Sequence, residues 1–422
     1  MGTAIDPEAA VRLDSIDLTD RELFRHGFPH PVFTWLRREA PVWFHPPSPD
    51  HPEIGDEGFW VLSKYADIQA ANRDTGLFSA LDGPQLGHRP EIRGLMLVSM
   101  DGREHTRQRK LISAGFTPRM IGRLEEQARV WAKSIIDEAL DRAQCDFVGD
   151  VAYKLPMHMI ADIMGIPLSD RSWLFDRVND WLQCTDPEHP TPAEQQNAIQ
   201  LQMFQYAQEL GAAKRREPQD DVWTRLCAVE ALAEGNEATQ LSAIELDLFF
   251  MLLTVAGSET TRNAISHGLL ALLENPDQLA RLRSEPARMP DAVEEILRWS
   301  SPVSYFTRRT TRDTRVRGVP IAAGERVTLW YPSGNRDDDV FVDPFRFDID
   351  RPAKPHLAFG GGGPHFCLGA NLARREIAIL FEELLARTRD IEVLGPPSYS
   401  VQGIFNPIYC SLKSLPVRLA AR

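Results

Sequence analysis

The chain of 422 residues is long enough to bury a sizeable core, and its 43% apolar and 25% charged residues are typical of a globular protein. A formal net charge of −13 argues against a general affinity for nucleic acid or for an anionic membrane. Residues 1–22 are acidic and interrupted by polar groups, so we expect neither a signal peptide nor a membrane anchor. Five cysteines are scattered without a CxxC pair, which favours a reducing, cytoplasmic location.

In chain order, the first strand-like piece is FWVLSKY at residues 59–65, and helical patterns dominate from Arg103 onward. The run TRVRGVPIAAGERVTLWY at residues 314–331 predicts several short strands joined by turns at its glycines. We therefore predict a mainly α fold with a small antiparallel β region. One domain over residues 1–422 is expected, with a flexible segment at residues 1–20.

A long helix is predicted over residues 242–275. Ser242 and Glu245 form a capping box at its start, and Pro276 marks its end. About 33 residues at roughly 1.5 Å each give a length of about 50 Å, enough to cross the molecule. The middle of the helix reads AGSETT at residues 256–261, where a glycine and a polar run interrupt an apolar helix. Such groups indicate either a local distortion or a polar turn that faces solvent.

The stretch HLAFGGGGPHFCLGANLARREI at residues 356–377 places four glycines and one cysteine before an amphipathic run. Four interpretations are open: a phosphate cradle, a zinc site, a nucleophilic thiol, or a thiolate ligand to a haem. A phosphate cradle is excluded because no Lys-Ser or Lys-Thr follows Gly363 and no apolar strand precedes the loop. Cys367 with His365 and His356 shows no recognised zinc spacing. A nucleophilic thiol stays open, since a helix N-terminus lowers the pKa of a cysteine.

Ligation of a haem iron explains more of these residues. A thiolate bound to iron needs backbone N–H donors, which the start of a predicted helix at residues 368–386 supplies together with the positive end of its dipole. Glycines at residues 360–363 carry no side chains, so the loop can lie close against a flat macrocycle. Gly369 lets the helix pack closely beside it.

The stretch resembles the haem-binding loop of the cytochromes P450, whose pattern is F-x-x-G-x-x-x-C-x-G. Phe359, Cys367 and Gly369 occupy its key positions, with one residue more between Phe359 and Cys367 than the pattern has. Glu295 and Arg298 match the ExxR pair of that family, which is tied to a further arginine, here Arg351, and has a structural role. The resemblance runs in order over nearly the whole chain and implies the cytochrome P450 fold.

The resemblance also implies roles for individual residues. In the family, an HxxxR pair and two further donors hold the haem propionates, and Cys367 is the implied metal ligand. Glu259 and Thr260 match the acid–alcohol pair that delivers protons during O2 cleavage, and are the implied catalytic residues. Ala256 and Gly257 are expected to leave room for O2. The implied haem-binding residues are His105, Arg109, Ala256, Gly257, Arg308, Phe359, His365, Cys367 and Gly369.

The activity that the resemblance implies is insertion of one oxygen atom from O2 into a C–H bond. The expected cofactor is haem b, with electrons from NAD(P)H through a ferredoxin and its reductase. The expected pocket segments are mainly apolar and imply an apolar substrate such as a terpenoid, sterol or fatty acyl compound; they are residues 81–100, 173–202, 252–256, 303–306 and 404–405. Two alternatives stay open: a peroxygenase or rearrangement enzyme of the same fold, and a non-catalytic haem-binding sensor.

Overall fold

Helices make up most of the computed structural model, which describes residues 13, 16–51, 54, 57–87, 93–184, 186, 188, 190–228, 240–352, 355–400 and 410–422. The α-helices of these residues are α1 (His30–Glu39), α2 (Tyr65–Arg73), α3 (Gly102–Gly115), α4 (Pro118–Arg142), α5 (Lys154–Met164), α6 (Leu168–Gln183), α7 (Ala193–Arg216), α8 (Val222–Ala228), α9 (Ala243–Glu274), α10 (Pro276–Ser284), α11 (Met289–Ser300), α12 (Tyr331–Gly334) and α13 (Ala370–Arg387). None of them combines the length and the hydropathy that a membrane span requires.

The strands are short and form small sheets. In the described residues they are β1 (Val42–His45), β2 (Phe59–Leu62), β3 (Phe78–Ser79), β4 (Gln144–Asp146), β5 (Tyr305–Thr310), β6 (Thr314–Val316), β7 (Val319–Ile321), β8 (Arg326–Trp330), β9 (Thr388–Val393), β10 (Ser398–Tyr399), β11 (Leu412–Ser414) and β12 (Pro416–Ala421).

The largest sheet has the strand order β1-β2-β8-β5-β3, and the smaller sheets are β4-β12-β9, β10-β11 and β6-β7. Strands β2 and β8 run parallel, with Trp60 opposite Val327, whereas the other described pairs are antiparallel. The predicted mainly α fold with a small antiparallel β region is confirmed, with that one parallel pair added. The strands expected in residues 314–331 are β6, β7 and β8.

One apolar core lies among the helices, and two smaller apolar clusters lie against the five-stranded sheet. Helices α4, α5, α9, α11 and α13 surround the larger one, to which they contribute Ile136, Met157, Ile265, Ile296 and Phe381. The five-stranded sheet is covered on both faces, because successive strand residues point to opposite sides: Leu329 enters one apolar cluster and Trp330 the other.

The segment before α1 is packed rather than free where it is described. The side chains of Leu18 and Thr19 are fully buried. The backbone N–H of Leu18 donates to Nε2 of His45 at 3.0 Å, which ties the segment to β1. The expectation of a flexible segment is therefore wrong for residues 16–20, and residues 1–12 and 14–15 lie outside the described residues.

Helix α9 follows its prediction closely. Ser242 caps it, and the reciprocal bonds of the capping box join Ser242 and Glu245: the Glu245 N–H donates to Ser242 Oγ at 3.3 Å, and the Ser242 N–H to Glu245 Oε2 at 2.7 Å. Its 32 residues give a length of about 48 Å. The helix is continuous across AGSETT, so the expected distortion is not found. The alternative of a solvent-facing turn is also wrong, because Ser258, Glu259 and Thr261 are buried.

A buried ion network joins α11 to the segment that follows α12. Arg298 binds Glu295 with two parallel hydrogen bonds of 2.7 Å each. Nε of Arg351 donates to the same carboxylate at 3.2 and 3.3 Å, so the predicted link between the ExxR pair and Arg351 is confirmed. Arg298 also donates to the carbonyl groups of Asn335 and Pro344, at 2.8 and 3.0 Å. Every charge in this network has an opposite partner, which is the condition under which buried ions are tolerated.

Removal of the acid from this network should destabilise the protein strongly. Glu295→Ala leaves two buried guanidinium groups without a counter-charge, and we expect a loss of about 3–5 kcal/mol in the free energy of unfolding, measured by urea titration. Glu125→Ala is the control, because it removes an acid from the exposed Arg375–Glu125 pair and should cost less than about 1 kcal/mol. Equal losses in the two variants would contradict a special role for the network.

Candidate functional site

The loop in front of Cys367 turns through left-handed backbone at every glycine. Leu357–Phe359 form one 3-10 turn, after which residues 360–363 have φ angles of 92°, 67°, 106° and 85°. An L-residue in this region costs roughly 1–2 kcal/mol, whereas glycine has no Cβ to clash. The loop therefore accommodates its extra residue through four successive residues with positive φ. Any residue other than glycine would strain the backbone there.

Three of these glycines pack against the end of helix α2. A Cβ on Gly363 would lie 2.4 Å from the carbonyl oxygen of Asn72, and one on Gly362 would lie 3.1 Å from Nε of Arg73. The Gln69 side chain donates to the carbonyl of Gly361 at 3.2 Å. The absence of side chains at Gly361, Gly362 and Gly363 thus serves the contact with α2, and the expectation that the loop lies close against a macrocycle stays a prediction.

Cys367 lies on an exposed turn between this loop and helix α13. Its backbone N–H donates to the carbonyl of Phe359 at 3.1 Å, which closes the loop. Although Cys367 is exposed as a residue, the protein groups crowded around its sulfur limit hydration and raise the pKa of the thiol; the N–H of Gly369 and the charges of Arg109 and Arg374 act in the opposite direction. The helix begins at Ala370 instead of residue 368, and a Cβ on Gly369 would meet no protein atom within 4 Å.

The four groups expected to bind carboxylates converge beside the loop. The rings of His105 and His365 lie 4.2 Å apart, and Arg109 donates to the carbonyl of Phe366. Arg308 is buried on β5 and donates to the carbonyl of Thr307 at 2.7 Å. The structure therefore brings together residues from α3, β5 and the loop of Cys367, which are far apart in the chain.

Several donors in this cluster have no partner among the described residues. Nε2 of His105 and Nε of Arg308 are both buried without a hydrogen bond. Burial, together with the positive charges of His365 and Arg109, lowers the pKa of His105 to about 4. Burial also lowers the pKa of Arg308, for which no carboxylate partner is found in the described part of the chain. These residues fit a group with carboxylates, and the two propionates of a haem satisfy that requirement.

His365 is held by an acid that sequence reasoning missed. Its Nε2 lies 3.3 Å from Oδ1 of Asp101, and Oδ2 of Asp101 accepts bonds from Ser79 Oγ at 2.6 Å and from the Ala80 N–H at 2.9 Å. Asp101 directly precedes α3, so one carboxylate joins the start of that helix, β3 and the loop of Cys367. No local motif marks Asp101, since its partners come from distant segments.

The middle of α9 carries three of the expected site residues, Ala256, Gly257 and Thr260. Ala256 is exposed although its helix crosses the core, and Thr260 is half-buried one turn later. The Thr260 hydroxyl donates to the carbonyl of Ala256 at 2.7 Å. Gly257 faces helix α5 instead, where a Cβ would lie 2.9 Å from Cδ1 of Ile160. Gly257 therefore allows two helices to approach each other, and the expectation that it leaves room for O2 stays a prediction.

Glu259 is almost fully buried beside Thr260. Its Oε1 accepts from Arg262 on the next turn of the helix, and from the hydroxyl of Ser411 at 2.9 Å. Its second oxygen, Oε2, is buried without a partner. Ser411 was missed by sequence reasoning because nothing around it in the chain indicates that it meets α9.

The expected pocket segments are described only in part. Leu252, Val303 and Phe306 are apolar and half-buried. Residues 88–92, 185, 187, 189 and 404–405 lie outside the described residues.

Comparison with known proteins agrees with this site. The family model described as cytochrome P450 matches residues 52–389. The chain is 38% identical to the steroid C26-monooxygenase of Rhodococcus jostii, over 94% of this chain and 83% of that protein. It is 40% identical to the methyl-branched lipid omega-hydroxylase of Mycobacterium tuberculosis, over 97% of this chain and 95% of that protein. The solved structure of CYP268A2 from Mycobacterium marinum, in complex with pseudoionone, matches with a TM-score of 0.86 and 38% identity, over 97% of this chain and all of that chain.

The chain belongs to the cytochrome P450 family and is a haem-containing monooxygenase.

Substitution of Gly363 should reveal how tightly the loop packs on α2. Gly363→Ala brings a Cβ against the carbonyl of Asn72 in addition to the cost of φ = 85°. Gly324→Ala is the control, because Gly324 has the same φ of 85° but no atom within 4 Å of a Cβ. We expect the control to cost about 1–2 kcal/mol and Gly363→Ala to cost about 1–3 kcal/mol more, measured by urea unfolding. Equal costs would show that backbone strain alone requires glycine there.

Proposed function

We propose that Cys367 is the iron ligand and that His105, Arg109, Arg308 and His365 hold the haem carboxylates. The observation that carries this proposal is the pair of buried donors without partners, Nε2 of His105 and Nε of Arg308, in a cationic cluster beside the loop of Cys367. Leaving buried donors unpaired costs roughly 1–3 kcal/mol each, so such groups persist where a ligand satisfies them. Phe359 belongs to the same site through its carbonyl, which orients the N–H of Cys367.

Haem b supplies, when bound, an iron centre that takes up electrons and cleaves O2. Cys367 would bind this iron as a thiolate, because coordination deprotonates a thiol outright. The Gly369 N–H and the charges of Arg109 and Arg374 then stabilise the negative sulfur. The loop geometry holds the sulfur in place before the metal arrives, since the N–H of the same cysteine is already bound.

Proton delivery is assigned to Glu259 and Thr260. The Thr260 hydroxyl donates a hydrogen bond to the carbonyl of Ala256, so its oxygen lone pairs remain available to accept a hydrogen bond. Arg262 and Ser411 hold Glu259 through Oε1 alone, which leaves Oε2 as the atom that can pass a proton. A held acid that precedes a hydroxyl-bearing residue in the same helix supports oxygen chemistry over the alternative of a sensor.

For the substrate we propose an apolar, methyl-branched chain that is oxidised at its terminal carbon. The names of two relatives, steroid C26-monooxygenase and methyl-branched lipid omega-hydroxylase, both denote attack at the end of an alkyl chain. Pseudoionone, bound in the similar solved structure, is an acyclic methyl-branched terpenoid. The apolar side chains of Leu252, Val303 and Phe306 suit such a chain.

Electrons are proposed to come from NAD(P)H through a ferredoxin and its reductase in the cytoplasm. Basic side chains of α3 and α13 are proposed to meet such a partner, and most of them are already paired with acids of this chain. Arg107 is paired with Glu245, Arg374 with Glu294 and Arg375 with Glu125; Lys110 is exposed. Attraction of an acidic partner should therefore rest on few unpaired charges.

Replacement of Thr260 should separate electron consumption from product formation. In Thr260→Ala, haem content and substrate binding should survive, while the yield of product per NADPH falls at least about tenfold and hydrogen peroxide rises, because the hydroxyl that accepts and orients the proton-delivering group is lost. The matched control is Thr254→Ala, which removes another hydroxyl that bonds back along α9, to the carbonyl of Phe250 at 3.1 Å. Wild-type coupling in Thr260→Ala would favour the peroxygenase or rearrangement alternative.

The position of oxidation tests the substrate proposal. In a reaction reconstituted with NADPH, a ferredoxin and its reductase, a methyl-branched chain should be oxidised at its terminal carbon. Its kcat/KM should exceed that of a linear chain with the same carbon number by about tenfold, as expected when one or two methyl groups fill an apolar pocket. Mass spectrometry locates the added oxygen, and the optical spin-state shift reports binding separately. Oxidation within the chain, or preference for the linear compound, would contradict the proposal.

A further inference from the structure

Asn72, near the end of α2, contacts the cationic cluster without belonging to any expected set of site residues. Its side chain is 2% exposed. Oδ1 accepts from Nη2 of Arg308 at 3.4 Å and from the hydroxyl of Tyr331 at 3.3 Å. The Nδ2 group is buried with no hydrogen-bond partner. The amide oxygen of Asn72 therefore has hydrogen-bond partners, whereas its amide nitrogen has none.

The orientation of this amide follows from chemistry. A guanidinium group has donors and no acceptor, so only the amide oxygen of Asn72 can face Arg308. The nitrogen must then point to the other side of the group. The two amide atoms are about 2.3 Å apart, so Nδ2 lies within about 6 Å of the guanidinium. A carboxylate, whose two oxygens have a similar spacing, can accept from both groups.

The buried donors in this region share one need. Nδ2 of Asn72, Nε of Arg308 and Nε2 of His105 all lack hydrogen-bond partners, and Arg308 forms no ion pair among the described residues, where the more distant charge of Asp101 acts on it. A neutral acceptor would satisfy one donor and leave the buried charge uncompensated. A carboxylate satisfies both, because it brings several lone pairs together with a negative charge.

We propose that Asn72 is part of the haem carboxylate site, where Nδ2 donates to the carboxylate that Arg308 binds and Oδ1 holds Arg308 in position. This inference rests on the carboxylate-binding role proposed above for Arg308. It adds α2 to the elements that hold the haem. The same helix contacts the glycine loop through the Asn72 backbone carbonyl, so a change of the side chain leaves that contact intact.

The test compares two substitutions in the haem-loaded protein by the rate at which haem passes to excess apomyoglobin. Asn72→Asp keeps the size of the side chain and the acceptor for Arg308 and Tyr331, but it removes the donor and adds a negative charge. Asn72→Ala removes both contacts and adds no charge. If Asn72 donates to a haem carboxylate, Asn72→Asp should release haem faster than Asn72→Ala, and at least about tenfold faster than the wild type. Resonance Raman bands of the propionates should shift in both variants.

A purely structural role predicts the opposite order. Asn72→Asp would then release haem at the wild-type rate, Asn72→Ala would be the faster variant, and the propionate bands would stay unchanged; this result would overturn the inference. Gln69→Ala is the matched control, since Gln69 lies on the same helix and contacts the carbonyl of Gly361 but not Arg308. If Gln69→Ala accelerates release as much as Asn72→Asp, packing of α2 explains the effect and the inference fails.

Arg308→Gln distinguishes this inference from the proposal beneath it. Haem release at the wild-type rate in Arg308→Gln would reject the carboxylate site as a whole, and Asn72 with it. Fast release in Arg308→Gln, combined with wild-type release in Asn72→Asp, would reject Asn72 alone. Fast release in both, with Gln69→Ala unchanged, is the expected result.

Discussion

The position of the Cys367 thiol depends on the ion pairs that the buried carboxylate of Glu295 forms with Arg298 and Arg351. The carboxylate is shared by two arginines, and Arg298 reaches from it to the carbonyl of Asn335 at 2.8 Å. The side chain of Asn335 in turn accepts the backbone N–H of Leu357 at 2.7 Å. From Leu357 the chain enters the glycine loop that ends in Cys367. Burying one of these ions without its partner would cost several kcal/mol of free energy, so the contacts form together. They thereby fix the position of the loop.

The buried charges around Glu295 and the buried charge of Arg308 differ in whether they are paired within the chain. We assign a structural role to the first and a ligand-binding role to the second. Glu295, Arg298 and Arg351 are each paired with an opposite charge, and their bonds are bidentate or multiple. Around Arg308 the reverse holds, because a buried cation contacts only neutral oxygens and leaves Nε unpaired. Glu259 shows the same feature on a smaller scale at Oε2. Where a fold breaks the rule that buried polar groups are satisfied, a ligand or a reaction is the usual reason.

Features carried by neighbouring residues could be predicted, and features carried by packing could not. The capping box of Ser242 specified the start of α9, and the position of Cys367 before a helix was evident from its flanking glycines. The contacts of Gly362 and Gly363 with Arg73 and Asn72 of α2, far away in the chain, could not be predicted. The contact of Gly257 could not be predicted for the same reason, because its neighbour Ile160 belongs to another helix.

The sequence by itself determined the helices, the short strands, the thiol at a helix start and the family to which these belong. These features are encoded by residues that are close together in the chain, through backbone conformation and the periodicity of apolar residues. Only the tertiary structure decided that Ser411 holds Glu259 across 152 positions, and that Asn72 meets Arg308 across 236. The physical reason is that a buried polar group binds whichever donor or acceptor the packing brings within about 3 Å, and sequence distance places no limit on that choice.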